Sequence, residues 1–247
     1  MKLNCDLGES FGAWTMPVDD EIMSIIDQAN VACGFHAGDP IVMKQALTLA
    51  KQHGVEIGAH PSYPDLQGFG RRSLAMASDE LVACVQYQVS AVLGMAEVVG
   101  AQVTYVKPHG ALYNDMMQNT SILRSVMEAV SGVSKNVPLA LMIQATPDNF
   151  SRQTVADEFG IRLRFEAFAD RQYTDDGFLK SRQLPGAVLS EQEALNQAKQ
   201  LLSEGRVTSV SNRSLLLNAD SLCVHGDTPG AVAIARQIKA LQVKQRG

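Results

Sequence analysis

The 247-residue chain reads as an α/β protein forming one domain over residues 1–247, a distorted or incomplete TIM-like (β/α)7 barrel. Three observations predict this. Short β-prone apolar runs alternate seven times with stretches of helical spacing. Such alternation with short turns calls for parallel strands joined by right-handed crossovers. Four of the five histidines, His36, His60, His109 and His225, stand just after one of those runs. An open sheet brings together only strand ends near its switch point. A closed barrel collects all of them on one face, so the histidine pattern favours closure, and seven units rather than eight imply distortion.

The first strand, 2–6, ends in Asp6-Leu7-Gly8-Glu9, and a helix follows at 20–26. The second, 29–33, runs into Gly34-Phe35-His36; Asp39 then caps a helix at 41–52 with Pro40 at its first position. The third, 56–59, meets His60-Pro61 and a long loop, 61–77, that carries Gly68-Phe69-Gly70-Arg71-Arg72 before a helix at 79–99 capped by Ser78. The fourth, 104–106, leads into Lys107-Pro108-His109-Gly110 and a helix at 116–130. The fifth, 139–143, precedes Gln144-Ala145-Thr146-Pro147 and a helix at 148–158. The sixth, 162–165, ends in Glu166-Ala167-Phe168-Ala169-Asp170-Arg171; a second long loop, 170–189, precedes a helix at 192–202 opened by a Ser190/Glu193 capping box. The polar stretch 206–218 has room for an extra hairpin before the seventh strand, 221–224, which gives His225-Gly226-Asp227 and a last helix at 231–241. Gly54, Gly100, Gly132, Gly160 and Gly205 each follow a helical stretch, as left-handed caps do. Loops this long on a catalytic face are read as lids or substrate clamps, with disorder as the plain alternative.

Composition narrows the function. A net charge of −5 without a long basic run argues against nucleic acid or an anionic membrane as partner. The N-terminus has no apolar signal region, and charged or polar residues such as Glu97 and Gln102 interrupt the smoothest apolar stretch. Cys5, Cys33, Cys84 and Cys223 have no close spacing, so neither a disulfide framework nor a thiolate zinc site is expected. A cytoplasmic enzyme is the expectation.

The strand ends supply the chemistry. Asp6 and Glu9 can hold a cation or serve as a general base; the plain alternative is a solvated turn. Asp39 and Asp227 are better read as helix caps than as partners of His36 and His225. His60 and His109 stand at matching positions, which favours function over structure. Lys107, at the end of a buried strand, is costly unless paired or functional. It suits an anion or a developing oxyanion, against a structural ion pair with Glu166 or Asp6. Tyr113 adds a hydroxyl. Arg71 and Arg171 offer planar forks for a substrate carboxylate, with an ion-pair network through Glu166 or Asp170 as the alternative. No phosphate loop, dinucleotide fingerprint or nucleophile elbow occurs.

Together these segments resemble the LamB/YcsF family, whose members are described as the A-type component of a bacterial ATP-dependent 5-oxoprolinase. The matching blocks run from Leu3-Asn4-Cys5-Asp6-Leu7-Gly8-Glu9 through Cys33-Gly34-Phe35-His36-Ala37-Gly38-Asp39, Gly58-Ala59-His60-Pro61, Gly68-Phe69-Gly70-Arg71-Arg72, Lys107-Pro108-His109-Gly110-Ala111-Leu112-Tyr113 and Phe168-Ala169-Asp170-Arg171 to Val224-His225-Gly226-Asp227. The resemblance implies a barrel related to glycoside hydrolases and deacetylases. It implies cleavage of the lactam 5-oxo-L-proline to L-glutamate coupled to ATP hydrolysis, in a complex with subunits B and C. It places Asp6, Glu9, His36, His60, Lys107, His109, Glu166, Asp170, Arg171 and His225 at the site without assigning them to steps. The expectation drawn from the residues is catalysis by Asp6, Glu9, His60, Lys107 and His109, with His36, Arg71, Tyr113, Glu166, Asp170, Arg171 and His225 around the substrate. Where the resemblance implies a small glycine-rich turn after the fifth strand, this chain has Gln144-Ala145-Thr146-Pro147. Two rival expectations stand beside it. One is a stand-alone deacetylase or amidohydrolase with a divalent metal on Asp6, His36 and His60; the other is a non-catalytic substrate-binding subunit.

Overall fold

In the computed structural model, which describes residues 1–15, 19–135, 137–226 and 230–246, the alternating runs become parallel strands β1 (Lys2–Leu7), β2 (Gln28–Ala32), β3 (Glu56–His60), β4 (Val103–Val106), β5 (Ala140–Gln144) and β6 (Leu163–Phe168). A small antiparallel hairpin follows, β7 (Arg206–Thr208) with β8 (Ser214–Leu216), and then β9 (Ser221–Cys223). β9 pairs in parallel with both β6 and β1, setting Ser221 beside Glu166 and Lys2, and so closes a seven-stranded barrel. The hairpin foreseen at 206–218 stands outside that barrel.

Alternation along β1 explains where the polar groups go. Leu3, Cys5 and Leu7 join the apolar core beneath the helices, while Asn4 and Asp6 turn to the opposite face and bond across the barrel. Asn30, Tyr105, Glu166 and Ser221 are buried in the same hydrogen-bonded interior. Branched apolar layers usually fill such an interior; here polar side chains occupy much of it. Gly58 in β3 makes room for this: a Cβ there would lie 2.2 Å from the Tyr105 ring.

The outer layer is α1 (Asp19–Met23), α2 (Pro40–His53), α3 (Ser78–Val99), α4 (Gly110–Gln118), α5 (Thr120–Val133), α6 (Asn149–Asp157), α7 (Glu191–Glu204) and α8 (Ala231–Arg246). Asp39 caps α2 by accepting from the amides of Ile41 and Val42, Ser190 and Glu193 form their reciprocal box, and Gly54, Gly100 and Gly205 are left-handed caps. Asp227 lies outside the described residues.

Several boundaries differ from expectation. The helix expected at 116–130 is two helices, because the Asn119 side chain accepts from the amides of Ser121 and Ile122 and starts α5 afresh. Ser78 does not cap α3; Ala77 holds the cap position without a side-chain bond. Gly132 lies inside α5, whose C-cap is Ser134, and Gly160 closes a turn beyond α6. α3 is, among the described residues, long and apolar enough to cross a membrane by composition. In the fold it packs chiefly on α5, with α2, β3 and β4 also in contact.

Both long loops are tied down. Asp65 is buried in an ion pair with Arg72 and accepts from the amide of Gly68, while the Gly70 carbonyl accepts from the Ala111 amide at 2.8 Å. The 170–189 segment folds back on itself, with Tyr173 bridging to Leu179 and to Ser209. Gln144 donates to the Gly177 carbonyl at 2.7 Å, so the divergent turn after β5 serves to seat this segment.

Candidate active site

Asp6, His36, His60, His109, Lys107 and His225, from five separate stretches of chain, converge at the C-terminal mouth of the barrel. Asp6 ends β1 with its Oδ1 accepting from Asn30 Nδ2 at 2.8 Å and from Lys107 Nζ at 2.9 Å. Burial alone would raise its pKa, but His60 and Lys107 outweigh that and hold the carboxyl well below the usual carboxylate range. Lys107 also reaches Glu166 Oε2 at 3.2 Å and Cys223 Sγ at 3.2 Å. Burial pulls its pKa down, yet the Asp6 and Glu166 carboxylates hold it well above the ordinary lysine range. The ion pair weighed as its bland alternative is therefore real, with both partners. It leaves Lys107 a fixed cation, suited to stabilising negative charge and unsuited to nucleophilic attack.

Above this charge cluster the imidazoles pack against one another. His60 Nε2 lies 3.4 Å from Asp6 Oδ2 and 2.9 Å from His109 Nδ1. His36 stacks on His109 with centroids 3.8 Å apart and planes 6° from parallel, and its Nε2 is 3.0 Å from Glu9 Oε1. Burial first, then the neighbouring rings, pushes His36 and His109 well below the usual histidine range. Glu9, His36, His60 and His109 form a buried group able to hold a metal ion; Asp6, Cys223 and His225 form a second. The Cys223 thiol is pushed up by burial, so it stays protonated.

The loop 61–77 builds part of this wall. The Phe69 carbonyl meets His109 Nε2 at 2.9 Å, and Phe69 holds a positive φ of 54°. Gly110 must be glycine for the same contact region: its φ is +57°, and a Cβ would come within 2.4 Å of the Gly70 carbonyl oxygen.

The remaining expected residues separate by environment. Asp170 is fully buried and accepts from His225 Nδ1 at 3.0 Å and from its amide at 3.3 Å. Phe168 stacks on His225 and carries Lys107 over its ring face. Arg71 is exposed at the mouth, its guanidinium 5.0 Å from the Phe69 ring centroid. Arg171 is buried and spends its guanidinium on backbone, donating to Lys180 O at 2.7 Å and Ala187 O at 3.3 Å; burial, then Arg182, lowers its pKa to about 10. Glu166 Oε1 and the Tyr113 hydroxyl are both buried without a well-formed hydrogen bond. Burial and then the Glu166 charge push Tyr113 well above the usual tyrosine range.

Sequence reasoning missed Asn4, Asn30 and Tyr105. Tyr105 donates to Asn30 Oδ1 at 2.6 Å, and Asn30 donates in turn to Asp6 and to Asn4. The signal was there: Asn4 stands two residues before Asp6, and so shares its strand face.

Comparison with known proteins agrees with this arrangement. A family model described as "LamB/YcsF family" matches residues 1–247. The chain is 53% identical over 241 residues to a Vibrio cholerae protein named as the A-type component of 5-oxoprolinase, covering 97% of this chain and 96% of that one. It is 52% identical over 240 residues to a Pseudomonas putida protein named as a second 5-oxoprolinase component of the same type, covering 97% and 92%. Among solved structures, the lactam utilization protein of Thermus thermophilus superposes with a TM-score of 0.89 at 36% identity, over 100% of this chain and 97% of that one. With its strand-end residues gathered at one mouth and its whole length matched, the chain belongs to the LamB/YcsF family.

Proposed function

We propose that this chain is the ring-opening component of a 5-oxoprolinase, hydrolysing 5-oxo-L-proline to L-glutamate while the complex hydrolyses ATP to ADP and phosphate. The observation that carries the reading is the buried Asp6–Lys107 pair under His60 and His109. It supplies an anion, a fixed cation and two imidazoles within reach of one another, which suits attack of water on a poorly electrophilic amide.

A five-membered lactam resists water because its amide is a weak electrophile, and phosphorylation of the amide oxygen would relieve that. Asp6, whose Oδ2 faces the imidazole cluster through His60, takes the proton of the attacking water. Lys107 stabilises the negative charge that develops on the tetrahedral centre. When the C–N bond breaks, the nitrogen takes a proton and becomes the α-amino group of glutamate. The acyl phosphate left at the former ring carbonyl is hydrolysed by a second water to the side-chain carboxylate and free phosphate. Arg71, exposed at the mouth, is assigned the substrate carboxylate in preference to Arg171, whose donors are turned to the 180–187 backbone. Asp170 orients His225, and Glu166 with Tyr113 lines the pocket. ATP is assigned to the complex with subunits B and C, since this sequence has no phosphate loop.

Glutamate release from 5-oxoproline, measured with and without subunits B and C and ATP, tests the reading. Release that needs all three components is expected. Release by this chain alone, without ATP, would instead favour a stand-alone amidohydrolase. Unchanged release by an Asp6→Asn complex that assembles normally would reduce the chain to a scaffold.

A further inference from the structure

His60 and His109 turn nitrogen lone pairs toward each other. The Lys107 carbonyl oxygen, 2.6 Å from His60 Nδ1, can only accept, so Nδ1 carries the proton and Nε2 of the neutral ring is bare. The Phe69 carbonyl, 2.9 Å from His109 Nε2, fixes the opposite tautomer there and leaves Nδ1 bare. These two nitrogens are 2.9 Å apart. Glu9 Oε1 is 3.4 Å from His109 Nδ1, and Asp6 Oδ2 is 3.4 Å from His60 Nε2. All four atoms are electron-rich, and all face one region.

We propose that His60 Nε2, His109 Nδ1 and Glu9 bind one divalent first-row transition-metal ion of the zinc type. Ligand atoms bonded to such an ion at about 2.0–2.1 Å lie about 2.9–3.4 Å apart for angles between right and tetrahedral; the observed separations are 2.9 and 3.4 Å. Two imidazoles with a carboxylate suit zinc, cobalt or manganese better than magnesium or calcium, which take oxygen ligands. Carbonyl acceptors behind both rings are the usual device for aiming metal-binding imidazoles.

His36 is a positioning residue. Its ring lies 6° from parallel with His109 at 3.8 Å, and in-plane lone pairs of two stacked rings cannot meet at one ion. Its Nε2 instead holds Glu9 Oε1 at 3.0 Å. Asp6 is engaged by Asn30 and Lys107 through Oδ1 and faces the remaining open side through Oδ2. The ligand set is thus His60, His109 and Glu9 rather than the expected Asp6, His36 and His60.

The inference stands apart from the lactam reading, because metal binding is measured without substrate. The full chain, stripped with chelator, is titrated with Zn²⁺ and with Co²⁺ by calorimetry. One ion per chain is expected, together with visible d–d absorption for the cobalt form and two imidazoles in the X-ray absorption spectrum of the zinc form. His36→Gln should weaken binding ~10–100-fold while keeping the stoichiometry. His53→Gln, on the exposed end of α2, should bind as the parent does. Absence of binding by the folded parent chain would overturn the proposal. So would a spectrum without imidazole ligands, or a 15N NMR signature of a proton held between His60 and His109 that zinc leaves unchanged.

Discussion

Lys107 shows how one side chain answers two demands. It neutralises Asp6 and Glu166 in a region sealed from water, and it carries the charge assigned to the tetrahedral centre. Its removal therefore has a structural cost as well as a chemical one. Lys107→Met strands two buried carboxylates and should destabilise the chain by about 3–5 kcal/mol, read from urea denaturation. Adding Glu166→Gln removes one stranded charge and should recover a substantial part of that loss. Activity should not return, since the cation is still missing: turnover of the complex should stay down by ~100-fold or more. A double variant that regains both stability and turnover would reduce Lys107 to a counter-ion.

At the scale of elements, two glycines set the register of the site. Gly58→Ala drives a Cβ into the Tyr105 ring. Tyr105 holds Asn30, and Asn30 holds Asp6, so the disturbance travels to the mouth. A loss of about 1–3 kcal/mol is expected from overpacking, together with reduced turnover in complex assays; a thermal melt equal to the parent would show that Tyr105 moves freely. Gly110→Ala acts on the other wall. Its positive φ and the nearby Gly70 carbonyl force the 61–77 loop away from α4, and that loop supplies the carbonyl that orients His109. The 61–77 loop, expected as a lid or clamp, forms a wall whose buried Asp65 is paired with the exposed Arg72. The 170–189 segment is likewise anchored. Arg171 binds its backbone, and Gln197 of α7 donates to the carbonyls of Phe168, Ala169 and Arg171.

Across the whole molecule, the two ends of the barrel divide the work. Chemistry collects where strands end, and a separate ion-pair hoop ties strands together where they begin. Glu56 of β3 accepts from Lys2 of β1, Gln28 of β2, Thr104 of β4 and Arg164 of β6. Burial would raise the Glu56 pKa, but Lys2, Thr104 and Arg164 outweigh it and bring it from 4.5 down to about 2. A carboxyl with a depressed folded-state pKa lends stability that is complete above its unfolded value and fades as pH falls toward the folded one. The contribution should therefore disappear between pH 4.5 and about 2. In Glu56→Gln the melting temperature should change less steeply with pH across that window. Equal slopes in the two proteins would remove the hoop from the acid response.

The alternation of seven β-prone runs with helical stretches was enough to read the barrel, and the position of histidines after those runs was enough to expect closure. Both signals are local: strand period, turn residues and caps such as Asp39 and Ser190 depend on a few neighbouring residues. Asn119 shows the limit even there, because its side chain restarted a helix that periodicity alone ran together with its neighbour. What the linear order could not convey is which polar atoms face one another. The parallel stack of His36 on His109 and the two carbonyls that aim His60 and His109 join residues far apart in sequence. Those contacts come into being only when β2, β3 and β4 pair side by side and bring their C-terminal ends together. Residue types and their strand-end placement were written in the chain; which polar atoms face one another was decided by strand pairing, because hydrogen bonds depend on distances that exist only in the folded barrel.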